Sequence, residues 1–335
     1  MTLPALSALQ RRFPDAEMDL LVGEEVKPLL QEDARFHEVI GMRHHWFSRK
    51  SSWWKQCQEF FFILAYLRKK RYDLAVDFRG DLRNILLMFF AGASCRLAYG
   101  RTGGRFLLSQ YRDFPFDEHQ VEVNLRLLEP LGVREKAPLE PFFYSDFRKS
   151  RFMDRWGKVF ASGSKPRIVI HPSAGYPSKK WPGEKFRELI HKITDENLGE
   201  VVLIGTQSEK RDLPDFSPTP ESLVDLRGRT DLSDLPILFD VCDFFVGNDS
   251  GPAHLAAAQG MEILVLFSGT NDARLWRPWT ERLHLMNHPV PCSPCEAPVC
   301  PLLHHDCMRQ MTVEEVFEEL KTMVNHSKKM VRKSS

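Results

Sequence analysis

The sequence of 335 residues lacks any apolar run long enough to span a bilayer. A membrane-spanning helix needs roughly 18 or more consecutive apolar residues. The longest candidates here, FFFILAYL and ILLMFFAGA, have the length of core elements. The opening segment MTLPALSALQRRFPDAE also lacks the order of basic, apolar and small residues that marks a signal peptide. These absences predict a cytoplasmic protein.

Three kinds of ligand-binding motif are missing as well. No G-x-G-x-x-G follows a predicted strand, which argues against a nicotinamide dehydrogenase. No Asp-x-Asp pair stands in a loop suited to a metal ion. No recognised nucleic-acid-binding module is present either, so the sequence predicts no nucleic-acid partner.

Neither sign of charge dominates, because 46 Lys and Arg oppose 45 Asp and Glu. The distribution is nevertheless uneven: residues 41–112 hold 14 Lys or Arg and only 4 Asp or Glu. Such an excess could attract an anionic substrate, or it could favour peripheral contact with an anionic inner membrane. A solvated basic face is the alternative interpretation.

The sequence alternates strand and helix patterns in two rounds. In the first, strand-like runs such as YDLAVDF and CRLAYG alternate with helical patterns such as LPALSALQRRFP. The second round begins at RIVIHPS. Strands separated by helices predict doubly wound parallel sheets, and the length suits two domains. We expect domains at 1–158 and 159–324, followed by a basic, disordered tail at 325–335.

One segment, VGNDSGPAHLAAAQG at 246–260, joins a predicted buried strand to a helix of small residues. Ser250 stands where an N-cap belongs, and Pro252 falls near the first helical position, where its missing N–H costs nothing. The helix therefore begins at a strand's carboxyl end with free backbone N–H groups, which attract anions. The segment is typical of a phosphate site or of an ordinary capped helix.

A second segment, HPSAGYPSKKWPGEKF at 171–186, also links a strand to a helix. Its small residues let backbone approach a ligand, and Lys179 can bring an ammonium group to a phosphate. Ligands of doubly wound sheets bind outside the carboxyl ends of the strands. The loops after His171, Gly205 and Gly247 should therefore converge on one crevice.

Together the two segments resemble glycosyltransferase family 9, the heptosyltransferases of lipopolysaccharide core assembly. The similarity extends through LPALSALQRRFPDAEMDLLV, YDLAVDFRGDLRN and HQVEVNLRLLEPLGV in the first half. The resemblance implies a GT-B architecture, in which two Rossmann-like domains face a cleft. It also implies inverting transfer of a heptose from ADP-heptose to the lipopolysaccharide inner core or another lipid-linked acceptor, without a cofactor.

The resemblance also implies roles for particular residues. Lys179 matches the lysine that contacts the donor's phosphates. Asp249, Ser250 and Gly251 match the turn at the helix start, with Asp249 assigned to sugar hydroxyls or to holding the turn, and His254 matches the histidine one turn on. The remaining candidates are Glu209 and Thr230 on the donor side, for which a surface loop is the alternative, and Arg79, Arg83 and Asp77 on the acceptor side, where Asp77 has a structural turn as its alternative.

Members of this family open with a strand and a Gly-Asp loop ahead of the segment that here reads TLPALSAL. This sequence starts at Met1, inside the first predicted helix. The resemblance therefore implies that a central strand of the first sheet, and the aspartate that resembles the general base, would lie before Met1. Loss of a general base lowers a rate roughly 10²–10⁴-fold, so we expect a start that is recorded too late or a relative with impaired activity.

Four of the seven cysteines fall in one segment, at Cys292, Cys295, Cys300 and Cys307. Their C-x2-C-x4-C-x6-C spacing could hold zinc through thiolates. Sequences of the family often show a similar Cys-Pro-rich turn, so the resemblance implies a structural feature of the second domain. Disulfides are disfavoured in a cytosolic protein, so we expect plain thiols.

Two alternatives to a transferase remain. A GT-B sugar-nucleotide epimerase shares the architecture and would form product from a UDP-sugar without an acceptor. A protein that binds nucleotide-sugar or lipopolysaccharide without catalysis would agree with the missing base.

Overall fold

The computed structural model describes residues 1–42, 52–134, 140–160, 165–213, 215, 216 and 218–334. The chain divides into two compact units, Met1–Glu140 and Pro141–Ser335. Among the described residues, no helix combines the length and the apolar character needed to cross a bilayer.

The first unit is built from parallel strands and intervening helices. Its strands are β1 (Asp19–Gly23), β2 (Glu38–Met42), β3 (Leu74–Asp77), β4 (Cys95–Tyr99) and β5 (Gln110–Arg112). Its helices are α1 (Leu3–Arg12), α2 (Lys27–Leu30), α3 (Trp53–Lys70), α4 (Leu82–Phe90) and α5 (Gln120–Leu127).

The strands of this unit form two separate parallel sheets, β1-β2 and β3-β4-β5. Within the described residues no strand pairs with both sheets.

The second unit is a single doubly wound sheet. Its strands are β6 (Arg167–His171), β7 (Glu200–Leu203), β8 (Leu223–Asp225), β9 (Phe244–Asn248), β10 (Glu262–Phe267) and β11 (Leu283–Asn287). Its helices are α6 (Asp146–Phe160), α7 (Gly183–Asp195), α8 (Leu235–Asp240), α9 (Gly251–Ala258), α10 (Ala273–Trp276), α11 (Asp306–Arg309) and α12 (Val313–Ser334).

All strand pairs of this sheet are parallel, and their order is β11-β10-β9-β6-β7-β8. The chain starts at the centre with β6, builds outward to β8, and returns to the centre for β9. The winding direction therefore reverses between β6 and β9, which is the switch point where ligands of such sheets bind.

The core of the second unit explains why these segments form strands and helices. β9 is buried at all five positions, as expected for a central parallel strand covered on both faces. α7 places Phe186, Leu189, Ile190 and Ile193 on its buried face at helical spacing. Each such side chain stabilises the fold by roughly 1.5–3 kcal/mol when fully buried.

The boundary between the units lies at Glu140–Pro141, earlier than the sequence pattern suggested. Consequently α6 belongs to the second unit, where it buries Phe152 and Phe160, and Arg167 of β6 donates a hydrogen bond of 2.7 Å to the carbonyl of Phe160.

At the carboxyl end of the chain, α12 extends through most of the segment 325–335, which we expected to be disordered.

Candidate functional site

A cavity of about 240 Å³ lies at the carboxyl ends of β6, β9 and β10, beside the switch point. β6 and β9 are adjacent, with His171 paired to Gly247, so the loops that leave them diverge around a common space. The cavity is lined by Gly175, Tyr176, Lys179, Asp249, Ser250, Gly251, His254, Asn271 and Trp276. All nine residues belong to the second unit.

The amino-terminal end of α9 opens into this cavity. Ser250 is its N-cap residue, with extended backbone (φ −152°), but its hydroxyl does not cap the helix. The hydroxyl instead lies 3.1 Å from His171 Nδ1. Pro252 has no N–H to be capped, and the Ser250 hydroxyl contacts His171 instead of its own helix. No side-chain cap therefore occupies this helix end, and the positive end of the helix dipole faces the cavity.

Lys179 reaches the cavity from the 3₁₀ turn Pro177–Lys179 and pairs with a buried carboxylate. Its Nζ lies 2.6 Å from Asp249 Oδ2. Asn271 donates to the same oxygen at 3.3 Å, and His254 Nε2 is 3.6 Å from Oδ1. Burial alone would raise the pKa of Asp249, but the nearby His254 ring and the charge of Lys179 outweigh it and lower that pKa. Asp249 is therefore an anion that fixes Lys179.

Glu209 does not line the cavity, but it contacts His171, which in turn contacts the cavity residue Ser250. Its carboxylate closes a capping box on the 3₁₀ helix Gln207–Asp212, accepting from the N–H of Thr206 at 2.6 Å. The same oxygen is 3.7 Å from His171 Nε2. The close approach of the His171 ring is the largest influence on this carboxyl and, together with the Thr206 N–H, lowers the pKa of Glu209 to about 2.

His171 thus contacts both Glu209 and Ser250. Since Nε2 faces the ionised Glu209, we assign the ring proton to Nε2 and let Nδ1 accept the Ser250 O–H. His171 is almost completely buried at the end of β6. It therefore holds the Ser250 hydroxyl in place from the buried end of β6.

Five of the donor-side residues singled out from the sequence line one cavity: Lys179, Asp249, Ser250, Gly251 and His254. Glu209 approaches it only through His171. Thr230 is outside the cavity lining, in the half-buried loop between β8 and α8.

The acceptor-side residues lie in the first unit: Asp77 is the last residue of β3, and Arg79 and Arg83 follow it. Asp77 is buried and accepts hydrogen bonds from the N–H groups of Arg79 and Asp81 and from Asn84 Nδ2. Burial raises the pKa of Asp77, and these contacts give it the role of holding the turn. Arg83 pairs with Asp81 at 2.9 Å, and Arg79 is exposed.

Sequence reasoning missed Tyr176, Asn271 and Trp276. Asn271 follows β10, so the rule that ligands bind at carboxyl ends of strands could have found it. The neighbouring Lys180 points elsewhere, because its Nζ pairs with Asp212 Oδ2 at 2.6 Å.

The cysteine segment supports the loop that carries Lys179. Ser178 donates its N–H to the carbonyl of Pro298 at 3.1 Å and its hydroxyl to that of Ala297 at 2.6 Å, while His305 Nε2 lies 2.9 Å from the Ser178 carbonyl. The four cysteines of the segment line a small void of about 10 Å³ and are free thiols. No group of three or more His, Cys, Asp or Glu within the described part of the chain is arranged to hold a metal ion.

The chain has two α/β units, and the second is a Rossmann-like sheet with a cavity at its switch point, as in a GT-B fold. The sequence model of glycosyltransferase family 9 (heptosyltransferase) matches residues 63–305. The chain belongs to this family and is a glycosyltransferase.

Individual relatives agree with the family match. Lipopolysaccharide heptosyltransferase 3 of Escherichia coli is 28% identical over 295 residues, covering 84% of this chain and 82% of the relative. The solved structure of the E. coli ADP-heptose lps heptosyltransferase II has a TM-score of 0.77 at 22% identity and covers 98% of this chain and 95% of its own. An E. coli heptosyltransferase solved with ADP has a TM-score of 0.72 at 19% identity, covering 96% and 94%. Because the identities are 22% and 19%, these two structures establish only that the chain shares their GT-B fold.

Proposed function

We propose that the protein transfers a heptose from ADP-heptose to the core of lipopolysaccharide. The observation that carries this proposal is the cavity of the second unit, where Lys179 and the uncapped end of α9 face the same space. The family match supports the reaction class. The names of the relatives, a lipopolysaccharide heptosyltransferase and an ADP-heptose enzyme, support the acceptor and the donor.

The donor's diphosphate would lie against the N–H groups at Ser250 and Gly251, with the Lys179 ammonium beside it. Asp249, being an anion, keeps Lys179 in position rather than binding phosphate itself. His254 lies on the same wall of the cavity. We assign Glu209 and Thr230 to the nucleoside side of the donor, and Arg79 and Arg83 to anionic groups of the acceptor.

The chemistry is a displacement at the anomeric carbon. An acceptor hydroxyl forms a new C–O bond and releases its proton to solvent, while the bond to the ADP oxygen breaks and the leaving ADP gains negative charge. Lys179 and the α9 helix end stabilise that charge more in the transition state than in the bound donor. Among the residues that the structure describes, we assign none as the general base.

The test is a transfer assay with ADP-heptose and a deacylated core acceptor, in which ADP release is measured and the product is identified by mass. Acceptor-dependent ADP release with a mass increase of one heptose supports the proposal. Binding of ADP-heptose without transfer would indicate a non-catalytic binding protein, and conversion of a UDP-sugar without acceptor would indicate an epimerase.

A further inference from the structure

Two exposed aromatic side chains line the cavity of the second unit. Tyr176 is 48% exposed and Trp276 is 42% exposed, and both border the same space as Lys179. A single exposed ring needs no explanation. Two rings on the wall of one cavity, beside a few polar groups, have the composition of a surface that contacts a small ligand.

The segments that carry the two rings meet on one side of the cavity. Tyr176 immediately precedes the 3₁₀ turn Pro177–Lys179. In that turn, the carbonyl of Ser178 accepts a hydrogen bond of 3.2 Å from the hydroxyl of Thr270, which follows β10. Trp276 is the last residue of α10, the next helix after β10. The turn beside Tyr176 therefore reaches the β10 side of the sheet, where Trp276 also stands.

The strand order separates the two ends of a donor molecule. The start of α9, where the diphosphate would lie, follows β9 at the centre of the order β11-β10-β9-β6-β7-β8. Glu209 and Thr230, on the nucleoside side, follow β7 and β8, whereas Trp276 follows β10 in the opposite direction. Because a diphosphate joins the nucleoside to the sugar, the sugar would extend toward β10.

Tyr176 also stands next to the cation that faces the phosphate. The Lys179 Nζ lies 6.0 Å from the centre of the Tyr176 ring. A single oxygen bridges the outer phosphate of a nucleotide-sugar to the anomeric carbon. A ring this close to the phosphate-binding ammonium is therefore within reach of the sugar.

We propose that Trp276 and Tyr176 bind the sugar of the donor by packing against its C–H groups. A pyranose ring carries C–H groups on its faces and hydroxyls around its edge, and an aromatic ring covers such a face with a large, rigid apolar area. Asp249 and Asn271 in the same cavity are polar and suit the hydroxyls. The inference rests on the proposed function, since it takes ADP-heptose as the donor.

Calorimetry with ADP and with ADP-heptose, on the full chain and without acceptor, tests the proposal. ADP lacks the sugar, so the ratio of the two affinities isolates the sugar contact. We expect the unmodified protein to bind ADP-heptose more tightly than ADP. Trp276→Leu and Tyr176→Leu should each weaken ADP-heptose about tenfold and leave ADP affinity unchanged, which also shows that the variants are folded. Trp276→Tyr and Tyr176→Phe keep a ring and should retain most of the affinity.

Tryptophan fluorescence gives an independent signal, because Trp276 lines the cavity. ADP-heptose should change the emission more than ADP does, and Trp276→Tyr should remove that difference. Two matched controls carry comparable rings outside the cavity lining: Trp54 is 63% exposed and Tyr111 is 49% exposed. Trp54→Leu and Tyr111→Leu should leave both affinities unchanged.

Three results would overturn the proposal. Variants of Trp276 and Tyr176 that weaken ADP and ADP-heptose by the same factor would assign the rings to the nucleotide. Variants that bind ADP-heptose as the controls do would mean that the rings contact no part of the donor. An unmodified protein that binds ADP-heptose no more tightly than ADP would leave no sugar contact to explain. Ring-dependent binding of ADP-heptose without transfer to a core acceptor would refute the proposed function and leave this inference intact.

Discussion

At the scale of single residues, the site combines opposite charges in a confined space. Lys179 is held 2.6 Å from the buried carboxylate of Asp249, which itself is supported by Asn271 and His254. The ammonium is therefore fixed before any ligand arrives, so little conformational entropy is lost when a phosphate binds.

Replacement of Lys179 tests this arrangement. We expect Lys179→Ala to lower kcat/KM for ADP-heptose about 10²–10³-fold, the usual effect of removing one stabilising group from a developing anion, while its melting temperature stays above the assay temperature. Lys180→Ala is the matched control, since Lys180 pairs with Asp212 outside the cavity. Similar activity in the two variants would contradict the role of Lys179.

Gly251 offers a second test at the same scale. A Cβ built at this residue meets no atom within 4 Å, so Gly251→Ala fits the fold. Because Gly251 lines the cavity, the added methyl group would occupy space that the diphosphate needs. We expect ADP affinity measured by calorimetry to fall about tenfold, which is 1.4 kcal/mol.

Gly157→Ala in α6 is the control for that substitution, because Gly157 is a helical glycine whose Cβ would make only ordinary contact with Met153. It should leave ADP affinity unchanged. If Gly251→Ala binds ADP as tightly as the control does, the diphosphate does not lie against the start of α9.

At the scale of secondary-structure elements, the loops after β6, β7 and β9 are tied together through His171. It contacts Ser250 at the start of α9 and Glu209 in the 3₁₀ helix after β7. Local sequence favours each element separately: Thr206 and Glu209 suit a capping box, and Ser250 suits an N-cap. The tertiary contact with His171 redirects the Ser250 hydroxyl from its own helix.

The shifted carboxyl of Glu209 gives a prediction at this scale. Its pKa falls from 4.5 to about 2 on folding, so its ionised form stabilises the folded state. That contribution is fully present above about pH 4.5 and is lost as pH falls through about 2. We expect Glu209→Gln to lower the free energy of unfolding by about 1–2 kcal/mol at pH 5.

Urea unfolding of both proteins at pH 5, pH 3.5 and pH 2 measures this effect. The difference between them should shrink as pH approaches 2, because the native carboxyl then becomes protonated. A difference that stays constant across this range would mean that Glu209 is not ionised against His171.

At the scale of the whole molecule, the division into units determines what can fold alone. The buried cluster around Trp181, Phe186 and Phe317 lies entirely in the second unit. α6 also belongs there, since Phe152 and Phe160 are buried and Arg167 holds the carbonyl of Phe160.

Two fragments test this boundary. We expect residues 141–335 to unfold cooperatively and to bind ADP, because the cavity is lined by that unit alone. Residues 159–335 lack most of α6, including the buried Phe152, and should be less stable by about 2–4 kcal/mol, the effect of losing one buried aromatic side chain. Urea unfolding measures the difference, and equal stability would place the boundary near residue 158.

The sequence predicted much of the fold because its signals are local. β3, β6 and β9 and helices α1, α7 and α9 all lie where the apolar patterns indicated. The strands β2, β5, β8 and β11 were missed, since they are short or lie at sheet edges and carry weaker patterns. β5, for example, has only three residues, none of them buried.

For this chain, the sequence by itself determined the alternation of strands and helices and the family resemblance. It also identified five of the residues that line the cavity, because each stands in a segment whose pattern is local. Only the tertiary structure decided that Asp249 fixes Lys179, that His171 links Ser250 to Glu209, and that Asn271 and Trp276 complete the cavity. These contacts join residues as far apart as 79 positions, and no local pattern encodes a distance that arises only when the sheet brings its strand ends together.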